Sequence, residues 1–549
     1  MTPTMPPLHI VCFAPYTNWS IHSARQVTIL QALRLRGCSV SYVACDGAFE
    51  VCDMTQAANG AAIPPDERAC LTCQSSVAAR LAAWGMPYRW FGRWLKSPDF
   101  ALAQDWAAHL DPQTFATAVY DGPADGKPAR ERWEIGHWVR SSVHTHLRHN
   151  VLDLHDPAVV AAYRHYLKAG LLAALGLSRL FARERPAAQL LFNGRMSVTR
   201  VALEIAKQRD IRSLVEERAT TPGRLSLFED ATCLELTAFD ALWEAWRGLA
   251  LNAEEIAEVG DYLDSRWRGR STDVSVFSRA ADDAQAMYRH LGLDPAKPLW
   301  ALYTSSLDES IDEPRAVGAF PSQGAWIEAT IAEAARRPDV QLAIRVHPNS
   351  GSKKSLGRNP QDAAFFARIA ATLPANVRLI GGDDDTSSYT LAAAADLGFV
   401  WYSTIGLEMA AIGKPVLRAG ASWLAHCDAF VPVSAPADFA SAIDRTLSEA
   451  PGAGECRTAQ AWRFMHCWTF RQTIPFALVK QPQWFIGEPA YTGLDALAPG
   501  RDANLDHICG VVMERAALHP PPPQRGADMA AAEAQAIAGR IVAYRAEAA

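Results

Sequence analysis

The sequence of 549 residues lacks any long apolar run. A membrane-spanning helix needs about 20 mostly apolar residues. The longest candidate, Ala169 to Leu177, is closed by Ser178 and Arg179, so no transmembrane span is expected. The N-terminus, MTPTMPPLHIVCFAP, lacks a basic leader and runs straight into a strand-like segment, which argues against a signal peptide. A basic excess is missing too. Fifty-three Lys and Arg against 59 Asp and Glu leave a formal charge of -6, so nucleic acid is not expected as a partner. No internal repeat is visible. These absences predict a cytoplasmic location, where the 11 cysteines would be thiols or metal ligands and not disulfides.

What is present is ordinary globular composition, 49% hydrophobic and 20% charged. At roughly 150 residues per domain, two or three domains are expected. The strand His9–Phe13, an apolar helical pattern through Leu35 and the strand Ser39–Ala44 read as a βαβ unit. A similar unit spans 189–215, and 80–185 and 240–295 look helical. From Pro298 the alternation becomes regular. Strands are expected at 299–303, 341–346, 377–380, 397–400 and 415–417, with a polar loop over 304–309 and helices between the strands. That pattern describes a doubly wound parallel sheet, whose ligands sit outside the carboxyl ends of its strands. A proline run at 520–523 precedes a last Ala-rich helix, about 527–545.

Two segments fall at such strand ends. In Arg345-Val-His-Pro348, the proline ends the strand and His347 and Arg345 can present donors to a ligand. In Tyr402-Ser-Thr-Ile-Gly-Leu-Glu408, Ser403 and Thr404 stand where a helix begins. Their hydroxyls and the free N–H groups of the first turn make an anion site. Glu408 follows one turn later on the same face as Thr404, interrupts an otherwise apolar helix, and can take both hydroxyls of a ribose. Helix capping alone would explain Thr404 but not Glu408. Gly413-Lys-Pro415 follows.

Together these segments resemble the nucleotide-binding half of GT-B glycosyltransferases, and in particular bacterial capsule polysaccharide biosynthesis proteins. A related pairing of His-Pro with a later Ser/Thr pair is found in bacterial sialyltransferases and Kdo transferases, which use CMP-sugars, and in polyglycerolphosphate transferases. The resemblance covers roughly 298–450. It implies that His347, Ser403 and Thr404 contact the donor phosphate, with Arg345 beside them, and that Glu408 takes the ribose. Phe192-Asn-Gly-Arg195 and Glu216-Glu-Arg218 look like recurring segments of the same proteins. Both follow predicted strands, although a plain turn and a surface pair would also account for them.

The expected architecture is therefore α/β and GT-B-like: two Rossmann-like doubly wound domains facing a cleft, with helical insertions. An acceptor domain with a helical insertion is expected over 1–295, a nucleotide-sugar-binding domain over 296–450, and C-terminal helices over 451–549 that pack back on the first domain. The resemblance implies a glycosyltransferase that moves a sugar from a CMP-, UDP- or GDP-linked donor to a growing bacterial surface glycan, capsule or lipopolysaccharide, free or lipid-linked. No catalytic metal is expected. If configuration inverts, a base must take the acceptor proton. His22, in the loop after the first strand, and Glu217 are the candidates. Rival readings are a phosphotransferase using a CDP-linked alcohol and a non-catalytic assembly subunit.

Other clusters carry further expectations. Cys45, Cys52, Cys70 and Cys73, the last two spaced C-x-x-C, fit a structural zinc site, or else are four unligated residues. His137, His144, His146 and His149 read as a polar helix face, and Asp383 to Asp385 as acids favoured at a helix start. Trp84 to Lys96 mixes aromatic and basic residues. It suits either peripheral contact with the inner face of the cell membrane or inward packing of its rings.

Overall fold

The computed structural model describes residues 7–56, 63–123, 131–271, 280–307, 310–311, 317–351, 359–449, 453–483, 485–526 and 529–548. Residues 1–6 of the N-terminal stretch, and residues 308–309 of the polar loop after the strand at 299–303, lie outside them. The chain forms two compact units. One comprises Met1–Glu235 with Thr473–Pro520, the other Leu236–Gln472 with Pro521–Ala549.

The first unit is built on β1 (His9–Ala14), β2 (Ser39–Ala44), β3 (Tyr88–Trp90), β4 (Ala188–Phe192), β5 (Arg212–Arg218) and β6 (Arg224–Glu229). The order β3-β2-β1-β4-β5 is parallel throughout, and β6 and the segment Thr473–Pro475 add antiparallel at the far edge. Strand side chains alternate between faces, and here both faces are buried. Val11 and Phe13 of β1 join the core under the helices Ile135–Leu147, Pro157–Glu184 and Ser197–Gln208. Ile10, Cys12 and Ala14 join the core under α1 (Ser20–Leu35) and the late helix Ala503–Glu514. In the Trp84–Lys96 segment Phe91 and Trp94 pack inward, Trp84, Tyr88 and Trp90 are half-buried, and Arg93 and Lys96 remain exposed.

The second unit carries β7 (Leu299–Tyr303), β8 (Gln341–Arg345), β9 (Val377–Ile380), β10 (Leu397–Val400), β11 (Val416–Arg418) and β12 (Val431–Pro432). All pairs are parallel, in the order β9-β8-β7-β10-β11-β12. Counted from its own first strand this is 3-2-1-4-5-6, the Rossmann order, which reverses between β7 and β10. The regular alternation in the sequence after Pro298 is thus realised.

The division of the chain differs from the expected boundary at 295. Residues 236–271 belong with the second unit because their apolar faces and charges find partners there. Trp243 of Thr237–Trp246 donates to the His426 carbonyl at 2.7 Å. Glu255 of α2 (Ala253–Trp267) is buried and accepts from Arg525 at 2.6 and 2.7 Å and from Arg471 at 2.8 Å. The tail is shared. Residues 473–520 join the first unit, where Arg212 donates to the Val511 carbonyl and Arg36 pairs with Asp506, whereas 521–548 return to the second. Among the described residues no helix is long and apolar enough to cross a membrane.

Candidate active site

In the second unit, the residues expected to hold a donor (Arg345, His347, Ser403, Thr404 and Glu408) line one pocket. It lies at the carboxyl ends of β7, β8 and β10, where the strand order reverses. Ligands of open α/β sheets bind at that position.

Each side chain has a local cause. Pro348 ends the strand and opens a single turn, Pro348–Ser350, and His347 precedes it. The backbone N–H of Asn349 donates to His347 Nδ1 at 3.1 Å, so the proton of the neutral ring sits on Nε2. The backbone N–H of His347 donates to Thr304 Oγ1 at 2.8 Å, which ties the ends of β7 and β8 together. Ser403 occupies the N-cap of α3 (Thr404–Ala411) without a capping bond from its side chain, so helix capping does not account for its hydroxyl. Gly406 lets this helix sit close to β10: a Cβ there would stand 2.8 Å from a Val400 methyl. Gly413, at φ +79°, makes the turn that leads into β11.

Arg345 serves the loop. It is buried, and its guanidinium donates to the carbonyls of Gly381 at 2.5 Å and Asp384 at 3.1 Å. Burial lowers its pKa, with Asp384, Tyr303 and Asp385 opposing. Asp384 accepts from the backbone N–H of Thr386 at 2.8 Å and pairs with His290 at 3.2 Å. Arg266 and Tyr389 are among the lining residues not anticipated from sequence. Arg266 Nε donates to Glu408 Oε1 at 2.6 Å. The helix that bears Arg266 lies before the alternating pattern, and nothing in its spacing points to the pocket.

In the first unit, His22 is in the opening turn of α1 and almost fully buried. Its Nδ1 lies 3.0 Å from Oε1 of Glu216, and its ring packs on Phe192 with centroids 3.7 Å apart. Burial lowers the His22 pKa well below its ordinary value, and Arg218 and Arg25 add to this. Burial raises that of Glu216, opposed mainly by Arg25. Where Glu216 is ionised, Nδ1 carries the hydrogen and Nε2 keeps its lone pair; where Glu216 holds the proton, Nδ1 accepts from it and Nε2 carries the ring hydrogen. No hydrogen-bond partner for Nε2 stands among the described residues. Nε2 is itself buried, and only the first of these forms can accept a proton.

The competing candidate, Glu217, points the other way along β5. It accepts from Asn193 Nδ2 at 2.6 Å and from the Arg218 backbone N–H at 2.8 Å. It thereby pins the Asn193-Gly194 turn, where φ is +65° and +67°. Glu216, not Glu217, is the residue beside His22. Strand alternation was the available signal: Glu216 shares the face of Leu214, which packs in the core under α1.

The expected four-cysteine zinc site is not assembled. Among the described residues no three His, Cys, Asp or Glu side chains are placed to hold a metal ion. Cys45 packs against the core on one face of the sheet and Cys73 against the core on the other. Burial raises the thiol pKa values of Cys45, Cys70 and Cys73, away from the thiolates that zinc requires.

No protein-family pattern and no curated protein matches the sequence. Among solved structures, the chain is similar to KpsC of Thermosulfurimonas dismutans, a β-Kdo 2,4 transferase, at 14% identity over 60% of this chain and 88% of that one, with a TM-score of 0.33. It is also similar to the UDP-GlcNAc 2-epimerase of Neisseria meningitidis bound to UDP-GlcNAc, at 10% identity over 84% and 97% of the two chains and a TM-score of 0.26. The calicheamicin glycosyltransferase CalG4 gives 12% identity over 84% and 95%, again with a TM-score of 0.26.

Proposed function

We propose that the chain is a glycosyltransferase that binds a nucleotide-sugar in the pocket of the second unit and transfers the sugar to a growing surface glycan. The observation that carries this reading is the convergence of His347, Ser403, Thr404 and Glu408 on one pocket at the strand-order reversal. The chemistry follows from these groups. A departing nucleotide leaves with negative charge on its phosphate. The first-turn N–H groups of α3, the Ser403 and Thr404 hydroxyls and the Nε2–H of His347 are donors suited to that charge as it develops. No step in this scheme requires a metal. Glu408 is the acceptor for ribose hydroxyls. His22, in the first unit, is the group suited to take the acceptor proton, with Glu216 orienting its ring. Glu217 holds a turn.

A panel of CMP, UDP and GDP, read by thermal stabilisation of the full chain, tests the reading. One of the three should raise the melting temperature, and His347→Ala and Glu408→Ala should each remove that rise while the unliganded protein stays folded. No stabilisation by any of them would overturn it.

A further inference from the structure

Glu408 does not stand alone in the pocket. Arg266, in the last turn of α2, donates through Nε to Glu408 Oε1 at 2.6 Å. The two side chains are 13% and 3% exposed, so the pair is largely desolvated. The guanidinium also lies over the Tyr262 ring at 5.6 Å. Arg266, Tyr389 and Glu408 all line the pocket. A buried carboxylate without a cation takes up a proton, and a protonated Glu408 would offer a ligand hydroxyl a weaker acceptor. A planar guanidinium held over a ring keeps the carboxylate ionised and fixes its direction. The other arginine of the pocket, Arg345, donates to the carbonyls of Gly381 and Asp384 instead.

We infer that Arg266 is a positioning residue which makes the pocket selective for ribonucleotides. It holds Glu408 ionised and aimed, so that the carboxylate accepts a ribose hydroxyl of the ligand. The selectivity determinant therefore comes from a helix outside the Rossmann alternation. The inference rests on the nucleotide reading of the pocket, and the test separates the two.

The test is calorimetry on the full chain with CMP, UDP and GDP and with the 2′-deoxy and 3′-deoxy counterpart of each. In the wild type at least one deoxy counterpart of the nucleotide that binds should bind about tenfold more weakly or worse, the size of a hydrogen bond to a charged group. In Arg266→Gln the ribonucleotide should lose that advantage and bind as the deoxy form does. Arg266→Lys, which keeps the charge, should recover part of it, and Glu408→Gln should lose it as Arg266→Gln does. Should Arg266→Gln fail to fold, Tyr262→Leu, which removes the ring under the guanidinium, should narrow the same ratio. An unchanged ratio in the folded variants, or an equal loss for ribose and deoxyribose, would overturn the inference and leave the nucleotide reading intact. A wild type that binds no nucleotide would overturn both.

Discussion

At the scale of residues, Glu216 and Glu217 are neighbours in the chain with opposite surroundings. Glu216 is fully buried beside His22, and Glu217 is spent on Asn193 and the Arg218 backbone. Their substitutions should therefore differ. His22→Ala should lower kcat by about 100-fold or more, the usual contribution of a general base, with nucleotide affinity unchanged. Glu216→Gln should also lower kcat, because an amide no longer stabilises the imidazolium formed as His22 takes the proton. Steady-state kinetics beside calorimetry check this. If Glu217→Gln removes activity and Glu216→Gln does not, the pairing of roles is reversed. The pH profile carries the same claim. His22 must be neutral to accept a proton, and its pKa lies well below the ordinary value because of burial, Arg218 and Arg25. Protonation of His22 itself should then not limit activity in the ordinary histidine range, whereas Glu216, raised by burial, must be ionised to leave Nε2 free, so an acidic limb above the ordinary carboxylate range is expected and should be lost in Glu216→Gln. An acidic limb that persists unchanged in Glu216→Gln would count against this pairing.

At the scale of elements, α3 depends on Gly406 to approach β10. In Gly406→Val the new side chain would enter space held by Val400, so the Ser403–Thr404 turn should shift. Overpacking of this kind costs about 1–3 kcal/mol. Nucleotide affinity should fall together with the melting temperature, whereas Thr404→Val should lower affinity alone. The tail of the second unit is held by charge. Burial would raise the Glu255 pKa, but bonds from Arg525 and from the Asn252 backbone, with the charge of His466, bring it down to about 2. A carboxylate depressed in the folded state contributes stability above its unfolded pKa and loses it as pH falls through the folded one. The second unit should thus weaken progressively between about pH 4.5 and pH 2. Arg525→Ala should flatten that dependence, as acid titration followed by circular dichroism would show. An identical acid profile in the variant would contradict the role of Arg525.

At the scale of the whole molecule, the legible part of the fold was the part governed by local period. Strand–helix alternation after Pro298 places β7 to β11, and a motif at a strand end is already at the ligand side of a parallel sheet. That is why the sequence points to His347, Ser403, Thr404 and Glu408, which line one pocket. What depends on distant partners was not legible. Residues 236–271 carry a helical pattern that says nothing about which sheet they serve, and contacts with distant partners, such as those of Trp243, Glu255 and Arg266, assign them to the second unit. Arg266 was missed for the same reason. The cysteines misled because spacing along a chain does not say which face of a sheet each thiol will take. The pocket is the centre of the account, and one measurement addresses it directly: a crystal structure of the full chain with the nucleotide that stabilises it. The expected result is a phosphate within hydrogen-bond distance of His347 and the Ser403–Thr404 turn, with the ribose beside Glu408. A nucleotide bound elsewhere, or bound in this pocket with its phosphate away from that turn, would contradict the account.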